Sequence, residues 1–187
     1  LKGNEKVSIE RSNLIMFFKK RNFKKLKLFC KKYKIKTIDC NNINSLNNDK
    51  LKTLQNILLN RVNVLPISMM LAQAIVESGW GGSRFAQKGN ALFGQWTWDK
   101  KKGISPAGID RPSFAVKSFK NLQDSVDAYI LNLNTHPAYE KFRHFRAKQI
   151  DAGEWNYGEL LLGMTAWSTN PDYQKIILST IVDNKLP

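Results

Sequence analysis

Apolar residues recur along most of this chain at the spacing of helices, with one short interval of a different kind. From about Ser12 to Tyr33, Leu14, Ile15, Phe18, Leu26 and Phe29 fall on one face among many lysines, which predicts an amphipathic helix. "DCNNINSLNND" (39–49) has no period and reads as a connector. Asp49 then stands as the N-cap of a second helix carrying Leu51, Leu54, Ile57 and Leu58. The clearest helix runs from Pro66 to about Ser78, with Ile67, Met70, Leu71, Ala74 and Ile75 spaced to bury a wide stripe. Proline suits its first turn, because the missing N–H would have had no partner there, and the glycines of "SGWGG" can take the positive φ that ends it.

Between Leu92 and Phe119 the pattern changes. The runs "LFGQWTW" and "SFAVKSF" flank the polar loop "DKKKGISPAGIDRP", which predicts a small hairpin or β-lobe set among helices. "NLQDSVDAYILNLNTHP" follows as a helix capped at Asn121, with Leu122, Val126, Tyr129, Ile130 and Leu133 inward and an end before Pro137. Further helices are expected at about Ala138–Gln149 and Asn156–Met164. A last one is expected with Asn170 as cap and Pro171 at its first position. The expected fold class is α+β, mainly α, with one small β element and no internal repeat.

Composition changes this picture in one respect. With 187 residues, 42% of them hydrophobic, the chain can bury a core, which excludes a disordered protein. Its formal charge of +15 is uneven, however. Residues 1–60 hold 15 Lys/Arg against 4 Asp/Glu, a net +11, and residues 61–187 hold 15 against 11, a net +4. The expected division is therefore a basic helical N-terminal extension over 1–60 and a second domain over 61–187. A basic segment suits nucleic acid, anionic lipid headgroups or an acidic wall polymer, and a bias of lysines on solvated helix faces explains it equally well. No run approaches a membrane span; "NLIMFF" (Asn13–Phe18) is far too short. The start at Leu1 predicts that sequence precedes it, so the absence of a signal segment says nothing of secretion. Cys30 and Cys40 are either a pair formed in an oxidising compartment or two free thiols.

The candidate chemistry gathers around Glu77, the one acidic residue in "AIVESGWGGSRFAQKGNALFGQW". It stands at the C-terminal end of the Pro66–Ser78 helix, sharing a face with Met70, Gln73 and Ala74. Carbonyls at the helix end and an apolar, aromatic setting both favour the protonated carboxyl, the form a glycosidic leaving group requires. The competing account is a solvated glutamate at a frayed helix end. Trp80, Phe85, Phe93, Trp96 and Trp98 follow in glycine-broken chain beside the amides of Gln73, Asn90 and Gln95. Rings that stack on sugar faces and amides that pair with hydroxyls suit a carbohydrate. Phe85 and Phe93 are expected in the core instead.

Other chemistries fit poorly. His136 and His144 are eight residues apart and no metal is expected, and no phosphate-binding or dinucleotide fingerprint calls for a cofactor. Ser78 and Ser83 lack a histidine partner and are expected to cap or turn the chain.

At this level of detail "LPISMMLAQAIVESGWGGSRFAQKGNALFGQW" resembles the N-acetylglucosaminidase domain of peptidoglycan hydrolases, glycoside hydrolase family 73. The Bax-type bacterial branch is similar in "RVNVLPISMMLAQA", "FGQWTW", "KGISP", "NLNTHPAYEKFR" and "AWSTNPDYQKII", in that order. The likeness runs from roughly Arg61 to Val182 and covers residues 1–60 only loosely. It implies a lysozyme-like helical core with a small β-lobe and a groove for a glycan strand. It implies that Glu77 is the general acid and that an aromatic residue of "WSTNPDY" lies beside it. Tyr173 matches the family tyrosine, and Trp167 stands where many members have another. "GNALFG" departs from the common "NNLFG", keeping Asn90 nearby while Ala91 alters the groove.

The second group stays open among three. Asp110 is slightly preferred, Asp99 lies in the same loop, and the substrate's own acetamido group is the third route, with Tyr173 positioning it. The expected function is thus hydrolysis of the β-1,4 bond on the reducing side of N-acetylglucosamine in peptidoglycan. Gln73, Trp80, Asn90, Gln95, Trp96, Trp98 and Trp167 are the candidate substrate-binding residues. A bacterial envelope location, periplasmic or secreted, goes with it, as does peripheral attachment of the basic segment to the anionic envelope, without nucleic acid as a partner. The alternatives are a muramidase or lytic transglycosylase, a catalytically silent glycan-binding module, and nucleic-acid binding through residues 1–60.

Overall fold

Helices dominate the chain in a computed structural model that describes residues 2–108 and 113–187. They are α1 (Lys2–Lys19), α2 (Phe23–Lys32), α3 (Asn48–Arg61), α4 (Ile67–Ser78), α5 (Arg84–Gly89), α6 (Leu122–Thr135), α7 (Glu140–Ala152), α8 (Tyr157–Leu162) and α9 (Tyr173–Asp183). The strands β1 (Trp96–Thr97), β2 (Gly103–Ile104) and β3 (Ala115–Lys117) make the single β element expected between Leu92 and Phe119. The class is α+β and mainly α, the composition of a lysozyme-like fold. No helix among the described residues is long and apolar enough to cross a membrane.

The chain forms two units: residues 1–65 with 131–166, and residues 66–130 with 167–187. The helical extension expected over 1–60 therefore lies in a unit that also takes in residues 131–166. In that unit the one helix expected from about Ser12 to Tyr33 is two. Arg21 turns the chain at a φ of +48°, and the Asn22 side chain then accepts a 3.2 Å hydrogen bond from the Lys25 N–H to start α2. Of the predicted apolar face, Leu14 and Leu26 are fully buried, while Ile15 is exposed. Asn47, rather than Asp49, caps α3 by accepting from the Lys50 N–H at 2.9 Å. Cys30 and Cys40 form a disulfide that ties α2 to the 3-10 turn Cys40–Ser45.

The core of this unit, with Leu54, Leu58, Leu133 and Phe142, also encloses the guanidinium of Arg146. Arg146 donates to the carbonyls of Asn60, Asn63 and Val64 at the end of α3 and to the Asn134 side chain. The Asn60 carbonyl, in the last turn of α3, belongs to the negative pole of that helix, which suits a cation. Burial pushes Arg146 down to about 9, and the charge of Arg143 adds to the shift.

In the second unit α4 packs against α9. Met69, Met70 and Ala72 of α4 and Ile177 and Ile181 of α9 are buried, each large apolar side chain contributing roughly 1.5–3 kcal/mol. The buried face of α4 is not the one predicted: of Ile67, Met70, Leu71, Ala74 and Ile75, only Met70 is fully inward. The helix is apolar almost all round, so periodicity alone did not select a face.

The sheet is antiparallel in the order β1-β3-β2, with Trp96 opposite Val116 and Ile104 also opposite Val116. The β2–β3 approach requires glycine, because a Cβ on Gly103 would lie 2.5 Å from the Val116 carbonyl oxygen. Asn121 caps α6 as expected, accepting from the Asp124 N–H at 2.9 Å, but Leu122 is exposed. The last helix begins at Tyr173 rather than at Pro171, because the Asn170 side chain first closes a turn onto the Asp172 N–H.

Candidate active site

Glu77 occupies the last turn of α4 because the chain leaves the helix immediately after it. Gly79 takes the left-handed conformation, φ +56° and ψ +58°, and its N–H reaches back to the carbonyls of Ile75 and Val76. Trp80 and Gly81 continue at positive φ, and the Ser78 hydroxyl accepts from the Gly81 N–H at 2.8 Å. Ser78 thus turns the chain and Ser83 caps α5, as their lack of a histidine partner predicted.

Two donors converge on one oxygen of Glu77. The Trp167 indole N–H reaches Oε1 at 2.8 Å, and the Tyr173 hydroxyl reaches the same atom at 2.7 Å. Tyr173 is there because it opens α9, which lies on α4. Both rings of "WSTNPDY" singled out in the sequence thus bond to Glu77. Oε2 has no hydrogen-bond donor among the described residues and faces Gly94, where a Cβ would stand 4.0 Å from it.

Behind this pair lies a polar chain. Gln73, one helical turn before Glu77, donates from Nε2 to the Tyr173 hydroxyl at 2.9 Å, and the Tyr129 hydroxyl donates to Gln73 Oε1. Gln73, expected at the sugar, is fully buried, with each of its amide atoms held by a tyrosine. Tyr129, counted in the sequence only as an inward apolar position, is the residue that reading missed. Its ring stacks on Phe93 at 4.0 Å and meets Trp167 edge-on at 5.4 Å. Phe93 is buried as expected, whereas Phe85 is half-buried beneath the Arg84 guanidinium.

The remaining candidates divide. Trp80, Trp96 and Trp98 are exposed, with Trp96 stacked on Phe114 at 4.3 Å. Asn90 ends α5 in the left-handed conformation and donates to the Phe119 carbonyl at 3.0 Å, and Gln95 donates to the Ala128 carbonyl at 3.4 Å. Asp99 caps the turn Lys100–Lys102 through the Lys101 N–H and pairs with Lys102 at 2.9 Å. The hydrogen bond from Lys102 holds its carboxyl below the usual aspartate range, with that from the Lys101 N–H adding to it. Asp110 lies outside the described residues.

This arrangement presents a carboxyl with one oxygen anchored by two neutral donors and the other without a donor among the described residues. Residues 53–186 match the glucosaminidase family model, described as mannosyl-glycoprotein endo-beta-N-acetylglucosaminidase. The chain is 39% identical over 124 residues to Protein bax of Escherichia coli (strain K12), a match covering 66% of this chain and 40% of that protein. It is 29% identical over 148 residues to Exo-glucosaminidase LytG of Bacillus subtilis (strain 168), covering 72% of this chain and 49% of that one. The chain thus spans less than half the length of these curated relatives. No solved structure matches it. With the family match running over most of its length, the chain belongs to the glucosaminidase family of glycoside hydrolases.

Proposed function

We propose that this chain hydrolyses peptidoglycan at the β-1,4 bond on the reducing side of N-acetylglucosamine, with Glu77 as general acid. The observation that carries the reading is the asymmetry of the Glu77 carboxyl. Oε1 accepts from Trp167 and Tyr173, so a transferable proton belongs on Oε2, beside Gly94. The proton passes from Oε2 to the glycosidic oxygen as the C–O bond breaks, and the bond's electron pair goes to that oxygen. The resulting carboxylate keeps two hydrogen bonds, which are stronger to an anion than to a neutral acid. Trp80, Trp96 and Trp98 offer exposed ring faces for sugar. Displacement at the anomeric carbon is assigned to water activated by Asp110. Asp99, already bound to its own turn and to Lys102, is the weaker choice, and the substrate acetamido group remains the route that needs no second acid.

Such a substrate places the action outside the cytoplasm, in the periplasm or beyond it. The net +11 of residues 1–60 favours a peripheral hold on the anionic envelope there. Binding of the chain to anionic envelope fragments should then weaken steeply with added salt.

The test is digestion of purified peptidoglycan by the whole chain, with mass spectrometry of the reduced fragments. New reducing-end N-acetylglucosamine is expected, and Glu77→Gln should abolish turnover while sparing glycan binding. Anhydro-muramic or muramic reducing ends would replace this reading with a transglycosylase or muramidase, and binding without turnover with a silent module.

A further inference from the structure

The chain Tyr129–Gln73–Tyr173–Glu77 has a direction, and the direction is set by Gln73. A glutamine amide offers an acceptor on one side and donors on the other. The Tyr129 hydroxyl donates to the acceptor, Oε1, so Nε2 faces Tyr173 and donates to its hydroxyl at 2.9 Å. That hydroxyl carries one proton. With Nε2 donating into its oxygen, the proton goes to Glu77 Oε1 at 2.7 Å. Gln73 and Tyr129 are fully buried and Tyr173 nearly so, which keeps water from supplying substitutes.

We propose that Gln73 is a positioning residue of the hydrolase: it holds the Tyr173 hydroxyl as a donor to Glu77 Oε1 and thereby reserves Oε2 for the transferred proton. The inference rests on the hydrolase reading above. Glutamine is the residue type that the task needs. A carboxylate at position 73 would accept from both tyrosines and turn the Tyr173 proton away from Glu77. A protonated carboxyl there would restore the original sense, accepting from Tyr129 and donating to Tyr173. A methionine fills the space and directs neither hydroxyl.

The experiment is the pH profile of kcat/KM on peptidoglycan for the whole chain carrying Gln73→Glu, Gln73→Met, Tyr129→Phe or Tyr173→Phe, each checked for folding by thermal melting. Loss of an oriented donor at a reacting group costs about 10²–10³-fold when the donor touches the reacting atoms. For a residue one bond removed the expected loss is roughly 10–100-fold in kcat, with KM little changed. Gln73→Met should show that loss at every pH. Gln73→Glu should show it at alkaline pH and recover toward wild type as the new carboxyl is protonated, and adding Tyr173→Phe should erase the recovery. Tyr129→Phe, which frees the amide to flip, should give a smaller loss.

A folded Gln73→Met with wild-type kcat, or a Gln73→Glu profile parallel to that of Gln73→Met, would overturn the proposal. If Gln73→Glu does not fold, Gln73→Met and Tyr129→Phe decide the matter through kcat. A wild-type chain inactive on peptidoglycan would instead remove the hydrolase reading itself, and these two failures are distinct.

Discussion

Replacing Gly94 with alanine puts a methyl group against the unengaged oxygen of Glu77 and asks whether substrate approaches there. Gly94 has a φ of +59°, and the added Cβ would lie 4.0 Å from Glu77 Oε2, an ordinary contact that displaces nothing. The fold should tolerate the change at the strain cost of a left-handed alanine, about 1–2 kcal/mol, or roughly 2–8 °C in melting temperature for a chain of this size. Catalysis should suffer more. A glycosidic oxygen must come to about 2.6–3.2 Å of the donor oxygen, and the methyl occupies part of the shell it enters. A displacement of about 1 Å at a reacting atom can cost on the order of 10²-fold. The expected result is a fall in kcat/KM of roughly 10–100-fold, read by release of reducing ends well below the melting transition. Gly153 supplies the control: it ends α7 at a φ of +76°, and a Cβ there meets nothing within 4 Å. Gly153→Ala should carry a similar strain and keep its activity. If Gly94→Ala melts as expected yet turns over like wild type, or if both variants lose activity alike, proton delivery from Oε2 across Gly94 is refuted.

The disulfide and a surface carboxylate give further tests. Cys30 and Cys40 are 10 residues apart in sequence. Loop-closure entropy for that span gives about 2.7 kcal/mol, so Cys30→Ser with Cys40→Ser should lower stability to urea by up to that amount. Asp39 accepts from the Asn42 side chain and the Asn41 N–H, which together hold its carboxyl below its ordinary value. The folded value lies below the unfolded one, so its contribution is present above about pH 4 and is lost as pH falls through the folded value. Urea midpoints taken from pH 5 downward should therefore drop more steeply for wild type than for Asp39→Asn.

The sequence showed where α4 begins and ends, because Pro66 and Gly79 act locally, through φ and missing hydrogen bonds. It did not show which way α4 faces. "ISMMLAQAIV" has apolar residues on every side, and the choice was made by α9 and by tyrosines 56 and 100 residues from Gln73 in sequence. Periodicity carries no trace of partners so distant. The break between α1 and α2 was hidden for a different reason. Asn22 sits in "KKRNFKK", where an amphipathic pattern runs on and only the cap itself interrupts it. Strand β2 is two residues inside a polar loop, and its place depends on a glycine clearing the Val116 carbonyl, a contact that local sequence does not express.

Burial divides the aromatic residues that follow Glu77 into two sets. Phe93, Tyr129 and Tyr173 are buried, with Trp167 half-buried against Tyr129, and packing alone would account for that. Packing does not account for an indole N–H and a phenol O–H ending on the same carboxyl oxygen, each at ordinary hydrogen-bond length. Trp80, Trp96 and Trp98 are 71%, 60% and 75% exposed, although each could bury a large apolar area if stability were the only demand. Trp80 also occupies left-handed backbone, φ +56°, which costs a non-glycine residue about 1–2 kcal/mol. A strained, exposed tryptophan three residues from a half-buried glutamate is poor core design, and the proposed function would use it to stack sugars. The frayed-helix account of Glu77 explains neither group. The proposed general-acid role accounts for both, with one carboxyl oxygen anchored by two donors and exposed rings left to stack sugar.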